Sequence, residues 1–430
     1  MSRKISIGAA ISAAAISAAI TVTLTYSYAM KSFNQKVADV NERQAMYTKL
    51  SEIDQKARQD YVGKIDEDSL TDGICTGYVA GLGDSHTQYL SAKKYKAYLN
   101  STDSKSTGVG IRTVQDSDGN MEVIEVIPGS PAEKAGIKKG DTVTQIDGKE
   151  VARITYAAAL NELDGAAGSQ IKFKILRTAG SDGTSSAKSS QSADITVTRG
   201  EYTQETLESS MINGNAAYIK IIQFGQNTAD DFNNAISTLV HQGAKGIVID
   251  LRGNSGGSMA AAASVLDTLL PAGNTVTSRD KNGKVTVEYT SKANEVNLPI
   301  SVLVNTQTSG AAELFAADIR DFKKGMLVGE KTAGDGTKVT AVPLSDGSAM
   351  LLSTAEYLTA GGKTFNGTGI SVDITKSLMD NQQSLYETNN LPPSADVQVE
   401  TAVSALVRQG ANIRLAPGTS AGPTTESGRD

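Results

Sequence analysis

The sequence predicts an α/β protein in which a β-rich segment lies between a helical N-terminal region and a mixed core. Three observations point there. From about Glu201, short β-branched runs alternate with stretches of helical length. Residues 106–200 carry one strand-like run after another. Residues 32–105 space their apolar side chains mostly three and four apart among interspersed charges. The 430 residues suit two or three domains. With 39% hydrophobic and 20% charged residues, the chain is neither a disordered polyelectrolyte nor mostly membrane-embedded. A net charge of −6 offers no basic surplus for a nucleic-acid partner. Cys75 is the single cysteine, which excludes a disulfide framework and a multi-thiolate metal site. His86 and His241 are the two histidines, so no metal or other cofactor is expected, and any catalysis falls to Ser, Lys, Asp, Glu or backbone amides.

At the N-terminus, Arg3 and Lys4 precede an uncharged stretch from Ile5 to Met30, closed by Lys31. As a helix it would reach about 39 Å, against a hydrocarbon core of roughly 30 Å. Residues 1–31 are therefore expected to be a signal anchor, with everything after Lys31 outside the cytoplasmic membrane. The competing reading is a secreted protein, released by cleavage at the small-x-small site ending in Ala29. Residues 32–105 follow as a helical arm and small helical unit, with Phe33, Val37, Val40, Met46, Leu50 and Ile53 as its apolar positions. Lys93, Lys94 and Lys96 read as a solvated helix face.

Within 106–200, GVGIRTV, MEVIEVI, DTVTQIDG and IKFKILR read as strands. Ser130 and Pro131 are placed to cap and start a short helix. Residues 179–193 are poor in apolar groups and read as a hairpin extension. In the 201–400 core the predicted order is strand AAYIKIIQF, helix TADDFNNAISTLVHQG, strand KGIVIDLRG, helix MAAAASVLDTLL, strand ISVLVN, helix AAELFAADIRDF and strand GMLVGE. That alternation favours parallel pairing. Residues 401–430 form a tail whose end, PGTSAGPTTESGRD, is expected to be disordered.

Residues 130–151, SPAEKAGIKKGDTVTQIDGKEV, resemble a PDZ domain of the protease-associated kind. The resemblance implies that Gly108, Val109, Gly110 and Ile111 hold a peptide's terminal carboxylate on consecutive amides, the peptide adding as an edge strand. Residues 245–273, KGIVIDLRGNSGGSMAAAASVLDTLLPAG, resemble the carboxy-terminal processing peptidases, which are PDZ-containing Ser-Lys serine proteases. Residues 66–90, the return strand after the PDZ segment and residues 344–374 resemble further blocks of the same family, in family order. The fold so implied is a crotonase-like α/β core with an inserted PDZ domain and an N-terminal helical region. The implied activity is proteolysis, the implied partners are peptide or protein C-termini, and a homo-oligomer is plausible by the same resemblance.

The family places its nucleophile in N-x-x-[ST]-A-S-A-x-E; here Asn305 and Glu313 fix the register and the slot holds Gly310. The base and orienter belong to G-x-x-T-x-G-K-G-x-x-Q; here Asp335 stands for the lysine and Val339 for the glutamine. Glycine cannot attack, and an ionised aspartate is acceptor-only. The oxyanion positions implied by the family, Gly256, Gly257 and Ala311, are present. The expectation is a catalytically impaired relative, a pseudoenzyme that binds peptide C-termini. The alternative is an active endopeptidase using Ser309 with Lys331 or Lys338, although one residue at a helix start turns a side chain by about 100°. Ser309 is expected instead to cap the following helix. His86 and His241 are read as structural and surface groups, Cys75 as an inert buried thiol, and Asp250 with Arg252 as an ion pair bracing the glycine turn.

Overall fold

The computed structural model describes residues 7–100, 105–154, 156–163, 165–178, 190–203, 205–293 and 295–413. The chain divides into two compact units, Met1–Cys75 and Thr76–Asp430.

The first unit is dominated by α1 (Ile7–Asp60), one continuous helix of 54 residues. It runs on through Lys31, where the sequence reading draws a segment boundary. Among the described residues no helix is long and apolar enough to cross a membrane. Arg58, in the last turn, meets Asp54 one turn back at 2.9 Å and Glu67 at 2.7 Å. Asp66 accepts the Ser69 amide at 2.8 Å and so caps α2 (Glu67–Ala80). Cys75 on α2 is free and half-buried, not fully buried as expected.

In the second unit, β1 (Gln88–Leu90) and α3 (Ala92–Asn100) lead into the β-rich segment. Lys93, Lys94 and Lys96 are exposed on α3, as read. The segment comprises β2 (Lys105–Gly108), β3 (Ile111–Gln115), β4 (Met121–Val126), α4 (Pro131–Ala135), β5 (Asp141–Ile146), β6 (Lys149–Glu150), α5 (Tyr156–Leu163), β7 (Gln170–Thr178), β8 (Ser190–Thr198) and β9 (Gly200–Thr203). Ser130 caps α4 by accepting the Glu133 amide, with Pro131 at the first helical position, as the sequence predicts. The main sheet runs β3-β4-β5-β7-β8, with β6 on β5, so β3 is an edge strand; β2 pairs with β9. Met121, Val123, Val143, Ile146, Ile171, Phe173 and Ile175 fill its core at alternating strand positions. The predicted hairpin extension lies largely outside the described residues, but β7 and β8 pair on either side of it up to Thr178 and Ser190.

The remaining elements are β10 (Leu207–Ile212), β11 (Ala216–Ile221), α6 (Thr228–His241), β12 (Ile247–Asp250), α7 (Met259–Leu269), β13 (Gly273–Asp280), β14 (Val285–Ser291), β15 (Ile300–Val304), α8 (Ala311–Asp321), β16 (Gly325–Gly329), β17 (Thr337–Pro343), β18 (Ala349–Leu358), β19 (Ile374–Thr375), α9 (Asp380–Glu387) and α10 (Val397–Arg408). One sheet runs β10-β11-β12-β15-β16-β19, parallel from β11 onward. Both faces are covered, which is why its strands read as continuous apolar runs. Ile219, Ile249 and Val302 pack under Phe232, Leu266 and Phe315 of α6, α7 and α8. Tyr218, Val248 and Leu303 face Val399, Val403 and Leu406 of α10 on the other side. A second, antiparallel sheet runs β1-β18-β13-β14, with β17 on β18. The β13–β14 hairpin is absent from the sequence reading. The C-terminal residues 414–430 lie outside the described residues.

Candidate functional site

Parallel strands place their carboxyl ends, and the loops that follow, along one edge, where α/β sheets bind ligands. Here β12, β15 and β16 end at residues 250, 304 and 329, and the loops after them hold the positions singled out in the sequence.

Asn254 anchors the first loop. Its side chain donates to the Ile221 carbonyl at 2.8 Å and accepts the Gly256 amide at 2.8 Å, while its carbonyl accepts the Ser309 amide at 3.0 Å. The Gly256 amide, read from the sequence as an oxyanion donor, is here engaged by Asn254. The amides of Gly257 and Ala311 have no hydrogen-bond partner among the described residues. Close packing of the loops is direct: a Cβ built on Gly256 would lie 3.0 Å from the Ser309 carbonyl oxygen and 3.1 Å from the Ala311 nitrogen. Below the turn, Asp250 and Arg252 form the expected ion pair at 2.5 Å.

The second loop is a strand-to-helix turn. Thr308 donates to the Leu251 carbonyl at 2.8 Å, and Asn305 accepts the Gly253 amide at 3.0 Å. Gly310 then takes φ 59° and ψ −122° and is itself the N-cap of α8. This corrects the expectation for Ser309, whose hydroxyl has no hydrogen-bond partner, lysine included, among the described residues. The conformation at Gly310 strains any residue with a side chain. Space is not limiting, since an added Cβ would meet nothing nearer than 3.8 Å.

Glu313, which the sequence reading used only to fix register, ties the second loop to the third. One carboxylate oxygen accepts the Thr332 hydroxyl and, at 2.7 Å, the Gly334 amide. The other accepts the Gly310 amide at 3.1 Å and the Asp335 amide at 2.7 Å. Burial raises its pKa, and these four donors pull the other way. Gly310 and Asp335 thus share one carboxylate oxygen.

At Asp335 the structure holds something the sequence did not foretell. His86 Nε2 lies 3.3 Å from Asp335 Oδ1, each side chain about one-third exposed. His86 is positioned by its own amide, which donates to Asp84 at 3.1 Å. The nearby Ser353, with hydrogen bonds from the Thr87 hydroxyl and the His86 amide, holds the Asp84 carboxyl down at about 2. Of the proposed substitute bases, Lys338 is engaged by Glu288 at 2.5 Å, and Lys331 is exposed. Val339 lies on β17 and is exposed. His241 is exposed on α6, as read. Among the described residues no cluster of His, Cys, Asp or Glu could hold a metal ion.

A cavity of about 430 Å³ opens beside these loops, lined by Lys220, Arg252, Gly253, Asn305 and Gln307 of the core and by Arg112 and Thr113 of the β-rich segment.

Comparison with known proteins fits this arrangement. The Peptidase family S41 profile matches residues 215–376, and a PDZ domain profile matches residues 122–177. The carboxy-terminal processing protease CtpA of Bacillus subtilis (strain 168) is 31% identical over 368 residues, 85% of this chain and 76% of that protein. The chain belongs to peptidase family S41. Within that family, the chloroplastic C-terminal processing peptidase of Tetradesmus obliquus is 30% identical over 331 residues, 74% of this chain and 71% of that one. Among solved structures, a photosystem II D1 C-terminal processing protease superposes with a TM-score of 0.52 at 27% identity, covering 80% of this chain and 92% of that one. The S41 homologue described here thus has the PDZ domain and α/β core of serine peptidases that process C-termini.

On α8 this S41 homologue also buries a second carboxyl, that of Asp318. Asp318 accepts the Ala360 amide at 2.7 Å through Oδ1, while Oδ2 is buried without a partner. Burial, with Asp321 adding to it, pushes its pKa well above the ordinary value. An acid raised in the folded state binds its proton more tightly there, so its cost is nil at low pH and grows as pH rises past the unfolded value of about 3.9. Asp318→Asn is expected to leave stability nearly unchanged at pH 4 and to raise it by about 1 kcal/mol or more at pH 8, one pK unit being about 1.4 kcal/mol. Urea denaturation at the two pH values checks this; equal differences at both would mean that the carboxyl is not held protonated.

Proposed function

We propose that this S41 homologue binds extended peptide C-termini through the Gly108–Ile111 loop and the free edge of β3, and that its peptidase centre is catalytically impaired. The observation on which the reading rests is chemical. The turn that would bring forward a nucleophile places Gly310 there, and the loop that would bring forward an ammonium places Asp335 there, its carboxylate beside His86. Without a hydroxyl and a neutral amine, nothing at these positions can open an acyl-enzyme route. Supporting the binding role, Gly110 has φ +79° and the amides of Val109 and Gly110 have no partner among the described residues. The Gly110 carbonyl is held by the Ile127 amide at 3.0 Å, which fixes the direction in which the loop presents its donors. The reading includes placement outside the cytoplasmic membrane, supported by Arg3 and Lys4 ahead of the uncharged N-terminal stretch.

The test uses the full chain and a short labelled peptide with an apolar, free C-terminus. Saturable binding by anisotropy, with the peptide intact by mass spectrometry after prolonged incubation, is the expected result. Time-dependent cleavage abolished by Ser309→Ala would overturn the impaired-peptidase reading. Gly110→Ala is expected to weaken binding at least tenfold, because a Cβ there would lie 2.4 Å from Ser130 Cβ and the backbone would have to leave its positive φ. Unchanged affinity in that variant would remove the loop from the binding site.

A further inference from the structure

The edge at which a peptide would pair is not vacant. Tyr156, the first residue of α5, donates its hydroxyl to the Thr113 main-chain carbonyl at 2.7 Å and lies 2.9 Å from the Thr113 hydroxyl. Thr113 is the third residue of β3, two beyond Ile111 of the proposed carboxylate loop, and β3 has no strand on its outer side among the described residues. A strand added antiparallel to that edge needs those outward carbonyls as acceptors for its own N–H groups.

We propose that Tyr156 is a built-in competitor for peptide at the β3 edge, a latch whose hydroxyl must leave the Thr113 carbonyl before an incoming backbone amide can take it. The inference rests on the reading of β3 as the peptide-binding edge. Chemistry favours an exchangeable contact. The tyrosine is half-buried against the domain core, so its ring stays packed while its hydroxyl can turn to water. The carbonyl, in contrast, gains from either donor but not from both at full strength. Each ligand therefore loses one protein hydrogen bond for the one that it makes at Thr113, and discrimination shifts to the carboxylate loop and the apolar side chains. A peptide lacking an N–H opposite Thr113 gives up little, because the latch can stay closed beneath it.

Tyr156→Phe keeps the ring and deletes the competitor. On the net worth of a typical hydrogen bond it is expected to bind a labelled C-terminal peptide about three- to tenfold more tightly than the native chain. The second arm uses the same peptide with each of its last four backbone amides replaced in turn by an ester, which lacks the donor. At one position the ester's penalty should be about three- to tenfold larger in Tyr156→Phe than in the native full chain. A tyrosine that only supported the fold would lower affinity on substitution and show no such coupling. Equal affinities for the two proteins, or equal ester penalties at all four positions, would overturn the latch while leaving the groove intact. No saturable binding by either protein would overturn the groove reading, and the latch with it.

Discussion

Gly310→Ser, Asp335→Lys and Val339→Gln introduced together are expected to raise the peptide-cleaving rate of this chain to that of a slow peptidase. The scaffold needed for this is in place. The turn at Gly310 already has φ 59° and ψ −122°, and a Cβ there clears its nearest neighbours by 3.8 Å. A serine in that backbone conformation costs about 1–3 kcal/mol of strain, which the Glu313 bonds to Gly310, Gly334 and Asp335 would have to hold. The Gly257 and Ala311 amides stand without partners where a developing oxyanion would need donors. Each single substitution should be silent, because nucleophile and base act as a unit and either alone supplies almost nothing. The triple variant should exceed the native chain by about 10³-fold or more in peptide cleavage. Its rate should also rise with pH. The residue-335 side chain is 35% exposed, so desolvation would lower a lysine's pKa only partly and the active neutral amine would gain population toward alkaline pH. Cleavage followed by mass spectrometry from pH 6 to 10 checks both statements. A folded triple variant that binds peptide but shows no turnover at any pH would mean that the three slots are not what the centre lacks.

What the sequence made legible, and what it hid, divides along the range of the interactions. Alternation of strand and helix after Glu201 follows from local periodicity, and β11, α6, β12, α7, β15, α8 and β16 stand where it put them. The Ser130–Pro131 helix start was readable because capping chemistry is local. Family likeness singled out Gly310, where the spacing between Asn305 and Glu313 leaves no room for a gap, and Asp335, which stands between Gly334 and Gly336. The misses are long-range. Glu313 looked like a register mark because its bonds reach Thr332, Gly334 and Asp335, some twenty residues away. His86 was read as structural, and its neighbour Asp335 comes from the far end of the chain segment. Ser309 was favoured as a cap by residue type, yet the cap position is decided by where φ turns positive, one residue later. The β13–β14 hairpin, with polar and exposed residues on one face, lacks the apolar run that marks a buried parallel strand. In α1 helical length was legible from the uncharged run alone.

Arg252→Met is expected to destabilise the second unit by about 3–5 kcal/mol, because it removes one partner of a buried charge cluster and leaves the others in place. Arg252 and Asp250 are only 3% and 1% exposed. The guanidinium meets Asp250 at 2.5 Å, Asp396 at 2.8 Å and Gln398 at 2.6 Å, and the Tyr386 ring lies 5.0 Å from it. Asp396 also caps α10 through the Gln398 and Val399 amides, so the cluster ties the end of β12 to the helix covering that face of the sheet. Burial alone would raise the Asp250 pKa, but the charge and hydrogen bonds of Arg252 outweigh it and the carboxyl is held below its ordinary value. With methionine in place of the guanidinium, the sign reverses. Asp250 would keep the Tyr218 hydroxyl at 2.7 Å but lose its counter-charge, and burial would push its pKa up. The variant should therefore lose most stability at pH 8 and recover part of it toward pH 5, as the folded state takes up a proton. Adding Asp250→Asn should restore part of the loss at pH 8 and reduce that recovery. Because Gly253 and Asn254 follow Arg252 directly, and Asn254 holds the amides of Gly256 and Ser309, local loosening would reach the loops around Gly310 before it reached the PDZ domain. Peptide affinity should then survive in the folded variant at low temperature. Urea melts at the two pH values give the test: a loss below about 1 kcal/mol, or one independent of pH, would show that the buried cluster is not what secures this turn.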